Sequence, residues 1–236
     1  MKMIPLQLSA MLFSAGIMFA LSSCTTYLPQ TASIPLMNEK NEVHVSGGLT
    51  MLGGIDGSVA YAPADHVALQ AYASLHSDEI RFYQGAVGYF TKSKEDLNFE
   101  IYGGVGGGNG NNYESDNNGY VNGDYLLYFA QANFGQTNTS KAHIDYGFGL
   151  KAGMFDAKII NYSDPVPVYN TNNSLLIEPQ AFMRLGGQKF KVGFQLNVSR
   201  IFNLTNDAPT LFYYPVNFGM SMNYRFAPSL RKVKKD

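Results

Sequence analysis

The sequence predicts an all-β protein, folded as a closed antiparallel up-and-down barrel of about ten strands that spans a membrane. Three observations predict this fold. After residue 41, apolar and polar residues alternate with a period of two in repeated segments, which is the strand pattern. Charged residues make up 15% of the chain, against about 25% in an average soluble domain, whereas aromatic residues reach 14%. Long connections between the segments also alternate with short ones, as in membrane barrels.

The first element, residues 1–23, has the features of a secretory signal peptide. Lys2 precedes an apolar run, at about 11–21, that is too short for a membrane-spanning helix. The run ends in Leu21-Ser22-Ser23-Cys24, which resembles the lipobox of bacterial lipoproteins. The resemblance implies that Cys24 is acylated, with palmitate or a similar chain, and anchored in outer-membrane lipid. A cysteine that follows an ordinary signal peptide by coincidence is the alternative.

Residues 24–41 are interpreted as a lipidated tether, because Pro29 and Pro35 interrupt a stretch without periodicity. Thr25, rather than Asp, follows the cysteine, and by resemblance to the bacterial sorting rule this favours delivery to the outer membrane. The segment 25–30 lacks the acidic cluster that resembles a surface-export signal. The N-terminus is therefore expected on the periplasmic side.

Residues 42–226 form the predicted barrel domain. Tyr146, Phe148 and Leu150 share one face of a strand, while the other face carries glycine and Lys151. The apolar faces are expected to contact lipid, because small and neutral polar residues suit the lumen of a narrow barrel. The predicted strands lie near residues 42–51, 54–62, 66–74, 80–91, 97–107, 124–134, 141–154, 174–185, 189–201 and 214–226.

The connections predict the orientation of the barrel. Three odd-numbered connections are long, at about 108–123, 155–173 and 202–213, and outer loops of membrane barrels are longer than periplasmic turns. An even strand number then places both termini in the periplasm, with 227–236 as a basic C-terminal tail. Tyr224-Arg225-Phe226 resembles the terminal aromatic assembly signal of bacterial barrels, although ten residues follow it here. In style, the chain resembles the outer-membrane β-barrel proteins common in Bacteroidota, many of uncharacterised function.

The predicted lumen carries charges of both signs, which we expect to pair because an unpaired buried charge is costly. A narrow lumen filled in this way would be blocked rather than open. The residues are Glu42, Asp56, Glu100, Asp145, Lys151, Glu178, Arg184, Lys189, Lys191 and Arg225.

No constellation in the sequence identifies a reaction, so no catalytic, cofactor or metal site is predicted. His143-x-Asp145 is similar to the Asp and His pairs of omptin proteases, but the predicted topology puts it at the periplasmic end. His76-Ser77 resembles a lipid A deacylase pair, yet adjacent residues on a strand point to opposite faces. Residues 103–108 miss the dinucleotide fingerprint, and 114–125 lacks the last carboxylate of a calcium loop. The net charge of −1 gives no case for nucleic acid.

The sequence therefore predicts a non-enzymatic envelope protein with a structural or surface-contact role. Its Asn- and Gly-rich outer loops have too little apolar surface to fold alone, so they should be mobile unless a partner orders them. They are either a contact surface or merely hydrophilic lids. Tyr113, Tyr120, Tyr162 and Tyr169 are candidate contacts for an extracellular glycan or protein. The alternatives are a narrow solute channel, a membrane-embedded hydrolase and a soluble lipid-binding barrel tethered by lipid.

Overall fold

The structure, a computed structural model, describes residues 27–31, 33–76, 80–93, 97–114, 119–137, 143–161, 168–204 and 213–228. Cys24 and the predicted signal peptide lie outside these residues. The described strands are β1 (Val43–Thr50), β2 (Gly54–Ala64), β3 (Val67–His76), β4 (Arg81–Lys92), β5 (Leu97–Glu114), β6 (Gly119–Gln136), β7 (Ile144–Asn161), β8 (Val168–Gly186), β9 (Phe190–Val198), β10 (Arg200–Asn203) and β11 (Val216–Phe226).

The described strands close into a barrel with ten strands in its wall, which confirms the predicted fold class. From β1 to β8 each strand pairs antiparallel with the next, and β9 pairs with β8 and β11. Pairing of β1 with β11 completes the ring. β9 and β10 are two halves of one wall strand, because both pair with β8 in a single register. The break at Ser199 lies across from Glu178, and the next residue of β8, Pro179, has no amide N–H to donate to the ladder.

Strands β5 to β8 are much longer than the others, with 18 or 19 residues each. Most of the predicted loops at 108–123 and 155–173 is therefore strand. β5 and β6 pair without a break out to Glu114↔Gly119, and β7 and β8 pair out to Asn161↔Val168. The prediction of long, unstructured loops was wrong at these two connections, whereas the connection 204–215 is long as predicted. Backbone pairing continues both hairpins to these positions, although glycine and asparagine at the end of β5 carry no strand pattern.

The end of the barrel at which the two hairpins extend is called the hairpin mouth. The opposite end, with the turns at 65–66 and 187–189, is called the short-turn mouth. β1 begins at the short-turn mouth, and β11 ends there because Val43 pairs with Phe226.

Apolar side chains point outward and polar side chains point inward over most of the wall. Phe148 is 66% exposed, whereas Lys151 on the same strand is 1% exposed. Near the hairpin mouth the pattern reverses: Asp156 and Lys158 point outward while Phe155 points inward. The outward apolar stripe of β7 thus runs from Tyr146 to Met154, roughly 20 Å at the rise and tilt of a barrel strand.

Candidate functional site: the occupied lumen

The chain that precedes β1 runs inside the barrel. Every described residue of Tyr27–Met37 is buried, and this segment is called the plug. Tyr27 bridges to Tyr213 in the connection between β10 and β11, at the hairpin mouth. The Met37 amide reaches the carboxylate of Glu100 near the start of β5, at the short-turn mouth. The residues interpreted as a tether are therefore a core element over their described part.

The two described ends of the chain lie at opposite mouths as a result. Tyr27 is at the hairpin mouth and β11 ends at the short-turn mouth. The termini themselves lie outside the described residues, so the expectation that both share one side stays a prediction. The prediction of a tether outside the barrel did not anticipate that residues 27–37 cross the lumen before β1 begins.

The wall supplies the hydrogen bonds that an extended plug cannot make within itself, as buried backbone groups require. The amide nitrogens of Gln70 and Gln131 donate to the carbonyl of Ser33, at 2.6 and 3.1 Å. Other wall contacts to the plug backbone follow its length: Asn217 to the Pro29 carbonyl at 2.6 Å, the Thr31 amide to Tyr72 at 3.2 Å, Arg184 to the Ile34 carbonyl, and Asn98 to the Met37 carbonyl at 2.9 Å. The lumenal Asn and Gln residues thus bind a peptide backbone instead of filling an empty lumen.

Tyr27 anchors the plug at the hairpin mouth. Its ring lies 4.9 Å from Phe155 and 5.9 Å from Tyr125, both at edge-to-face angles that favour aromatic pairs. Its hydroxyl donates to Glu178 at 2.9 Å. The apolar cluster around it draws most of its residues from the long strands, among them Leu127, Ile159 and Leu176. The inward apolar residues of the hairpins therefore pack around the plug.

Glu178 is the centre of a buried polar network below Tyr27. Besides Tyr27, its carboxylate accepts from Ser199 at 2.6 Å and from Gln180 at 2.8 Å. The Lys151 ammonium lies 3.9 Å from it. Lys151 also donates to Gln30 of the plug and to Gln84 of the wall, both at 3.1 Å. One charge pair thus joins four wall strands to the plug: β4, β7, β8 and the strand formed by β9 and β10.

Lumenal glycines leave room for the plug's side chains. A Cβ at Gly149 would lie 2.7 Å from Ile34 Cδ1, and one at Gly135 would lie 2.7 Å from Leu36 Cδ1. Both distances are too short for real contacts between these atoms. Glycine at positions 135 and 149 is therefore explained by the plug, which approaches the wall closely there.

A carboxylate fixes the turn between the plug and β1 at the short-turn mouth. Glu42 accepts from the backbone of Asn38 at 2.7 Å, contacts His44 at 2.7 Å and pairs with Arg225 at 2.5 Å. Burial alone would raise the pKa of Glu42, but the hydrogen bond and charge of His44, the charge of Arg225 and the Asn38 amide lower it to about 2. Glu42 therefore stays ionised and holds the turn at neutral pH.

The expected pairing of lumenal charges is found for part of the set, and the plug backbone is a further partner. Lys191 pairs with Asp145 at 2.5 Å. Glu100 contacts the Met37 amide and Asn133, and Arg184 binds a plug carbonyl. Lys189, which was placed in the lumen, is exposed in the turn after β8.

Those candidate contact residues that the structure describes lie on the two extended hairpins. Tyr169 is 73% exposed near the end of the β7–β8 hairpin. Tyr113 and Tyr120 are opposite each other in the register of the β5–β6 hairpin. Tyr162 lies outside the described residues. The structure thus places three of the four on adjacent hairpins.

The motifs weighed for chemistry do not assemble a reaction centre in the described part of the chain. Asp145 is bound to Lys191, and residues 103–108 are part of β5. His76 lies 3.4 Å from the Thr50 hydroxyl, while Ser77 is outside the described residues. Residues 115–118 of the calcium-like motif are also outside them, and the described residues hold no cluster of metal ligands. Among these residues, no helix is long and apolar enough to cross a membrane.

Comparisons with known proteins give limited similarity. Among solved structures, the N-terminal β-barrel domain of Pseudomonas aeruginosa OprF matches with 11% sequence identity and a TM-score of 0.32. The match covers 79% of this chain and 98% of that domain. No protein-family model and no curated protein matches the sequence. The class that the strand pairing itself defines is a closed antiparallel barrel of ten strands, with its lumen occupied by its own N-terminal segment.

Proposed function

We propose that this protein is a non-enzymatic outer-membrane barrel, closed by its own plug, that holds two long hairpins outside the membrane as a contact surface. The observation that carries the proposal is the course of the plug. It crosses the lumen from Tyr27 to Met37, and the wall binds its backbone at successive levels. A barrel whose lumen is filled in this way is suited to hold the two hairpins rigidly at the surface, and not to let solutes pass.

The outer surface supports insertion in a membrane. Exposed aliphatic and aromatic side chains surround the wall, including Leu49, Val87, Phe134, Phe148 and Met222. Soluble monomers rarely expose apolar patches larger than a few hundred Å². Since the lumen is polar and filled, a soluble barrel that carries an apolar ligand inside is disfavoured.

The long hairpins support an orientation with the hairpin mouth outside the cell, because membrane barrels have short turns on the periplasmic side. Beyond the apolar stripe, the outward face of these hairpins becomes polar. Asp124 lies across from Lys158, and Tyr169 extends further out. Exposed tyrosine among asparagines offers stacking area and adaptable hydrogen bonds, which suit a glycan or a protein partner.

Electrical recording from the purified, acylated protein in planar lipid bilayers tests the closed state. We expect no stepwise conductance, because the plug crosses the lumen and each of its described residues is buried. A reproducible conductance of the intact protein would contradict the proposal and favour the solute channel.

A further prediction concerns the membrane-facing surface. Phe148→Arg places a charge in the middle of the apolar stripe, and we expect it to lower the free energy of unfolding by roughly 2–4 kcal/mol. Asp156→Arg is the matched control, since Asp156 points outward on the same strand beyond the stripe. It should change stability by less than about 0.5 kcal/mol. Urea unfolding in lipid vesicles, followed by heat-modifiable gel mobility, measures both. Equal stability of the two variants would count against a lipid-facing stripe.

A further inference from the structure

A groove on the outer wall, called the β8 groove, follows the outward face of β8 between its two neighbours. Ala181 lies directly across from Phe148 of β7 on one side and from Leu196 of β9 on the other. Opposed side chains on one face of a sheet are about 5 Å apart, so the methyl group of Ala181 leaves a depression between two large side chains. The groove encloses about 260 Å³. Its lining includes Phe148, Ala181, Met183, Phe194, Leu196 and Phe218.

Positive charges lie at the short-turn mouth beyond one end of this groove and are called the basic cluster. The cluster consists of Arg184, Lys189, Lys191 and Arg225, which line one small cavity together with Asp145. Asp145 pairs with Lys191 at 2.5 Å, and Glu42 pairs with Arg225 at 2.5 Å. These two carboxylates offset only part of the charge of the four cations. Lys189 is exposed in the turn that joins β8 to β9, so it can meet an anionic group outside the barrel.

We propose that the β8 groove and the basic cluster together bind one phospholipid with an anionic headgroup. Its phosphate lies beside Lys189 at the rim of the short-turn mouth, and one of its acyl chains lies in the groove. The inference rests on the proposed function for insertion in the membrane. With the hairpin mouth outside the cell, the bound lipid belongs to the periplasmic leaflet of the outer membrane.

The spacing of the two parts fits a lipid within one leaflet. Phe194 comes five residues after Lys189, which corresponds to roughly 17 Å along an extended strand. One leaflet contributes half of the roughly 30 Å hydrocarbon core, about 15 Å. Between these levels, the exposed rings of Phe190 and Tyr224 lie opposite each other, and aromatic residues mark the membrane–water boundary of barrels. The basic cluster therefore lies at headgroup level and the groove at the level of acyl chains.

Charge favours a lipid over a second copy of the chain as the occupant of the groove. Two copies inserted in one membrane have the same orientation. A symmetric contact through this groove would therefore bring both basic clusters to the same level on the same side. Like charges would then oppose the contact, whereas the phosphate of an anionic lipid is attracted by the same cations.

Native mass spectrometry of the purified protein, released from detergent micelles, tests the headgroup. Phosphatidylglycerol and phosphatidylethanolamine with identical acyl chains, mixed in equal amounts, are the probes. We expect the wild type to retain one phosphatidylglycerol. Lys189→Gln should weaken this retention about fivefold, the contribution of one cation near an anionic lipid surface. Lys158→Gln is the matched control, because Lys158 is exposed on the outward face near the hairpin mouth, and it should retain the lipid as the wild type does.

A second pair of variants tests the groove. Ala181→Phe fills the depression with an aromatic ring, and we expect it to abolish the preferential retention. Ala152→Phe is the matched control, since Ala152 is exposed on the outward face of β7 and does not line the groove. It adds the same ring to the apolar stripe and should leave retention unchanged. Heat-modifiable mobility shows that each variant is folded.

The contrary outcomes are distinct. Equal retention by the wild type, Lys189→Gln and Ala181→Phe would overturn the inference, because the lipid then belongs to the general layer around the wall. Equal retention of the two phospholipids would overturn the anionic headgroup, and a dimer without lipid would show that a second copy covers the groove. These outcomes leave the proposed function intact when the protein inserts in vesicles. A protein that stays in solution without detergent and does not enter vesicles would contradict the proposed function itself.

Discussion

Deletion of residues 27–37 is expected to turn a silent barrel into a conducting one. The plug occupies the lumen over its full height, and its removal leaves a passage lined by polar groups such as Gln70, Glu100, Gln131 and Lys151. Water can enter and hydrate these groups, so the wall is not left with unpaired buried charges. In planar bilayers we expect stepwise currents from the deletion variant and none from the intact protein.

A control deletion separates occlusion from general damage. Removal of residues 229–236 shortens the chain at the other end, outside the described residues, and should leave the barrel silent. Heat-modifiable mobility shows whether each variant folds. A folded plug-deletion variant that stays silent would contradict occlusion by the plug. If the deletion variant fails to fold, the milder Tyr27→Ala replaces it. A Tyr27→Ala variant that conducts no current and keeps normal stability would count against an anchoring role for Tyr27.

Loss of the Glu178 carboxylate is expected to have the largest effect of a single substitution on stability. Glu178→Ala leaves the Lys151 ammonium without its counter-charge in a buried site, and breaking such a pair typically costs about 3–5 kcal/mol. It also removes the acceptor of the hydroxyls of Tyr27 and Ser199. Urea unfolding in lipid vesicles gives the change in free energy.

Two variants show how much of this cost is due to charge. Glu178→Gln keeps an acceptor for Tyr27 and should cost less, on the order of 1–3 kcal/mol. Adding Lys151→Met to Glu178→Ala removes the unpaired charge, and we expect the double variant to be more stable than Glu178→Ala alone. If Lys151→Met gives no recovery, Lys151 and Glu178 do not act as a pair.

The sequence predicted the wall well because each wall residue faces either lipid or lumen. Alternation around Phe148 and Gly149 shows both the strand and its two faces, and the ten predicted segments all correspond to wall strands. The same pattern did not predict that the strands continue beyond the apolar stripe. From 108 to 114, glycine and asparagine carry no alternation, yet β5 continues there through backbone hydrogen bonds that no side-chain pattern records.

The plug was missed because an extended segment inside a barrel has no period of its own. Two signals were present. The segment is more apolar than a tether in water needs to be, since it contains Tyr27, Leu28, Ile34, Leu36 and Met37. Glycine at lumenal positions also marks places where another chain approaches the wall. Neither signal gives the direction of the plug, which depends on contacts far apart in sequence, such as Tyr27 with Glu178 and Met37 with Glu100.

A disulfide between the plug and the wall tests whether the N-terminal segment fills the lumen. A Cβ at Gly149 would lie 3.3 Å from Ile34 Cγ1, the position that the sulfur of a cysteine at 34 can take, so a disulfide between residues 34 and 149 is within reach. We expect the pair Ile34→Cys and Gly149→Cys to oxidise in the folded protein and to change its mobility on non-reducing gels. The neighbouring pair Ile34→Cys and Phe148→Cys should not oxidise, because Phe148 points to the opposite side of the wall. Free thiols at 34 and 149 in the folded barrel, both open to maleimide, would show that the lumen is not occupied by the plug.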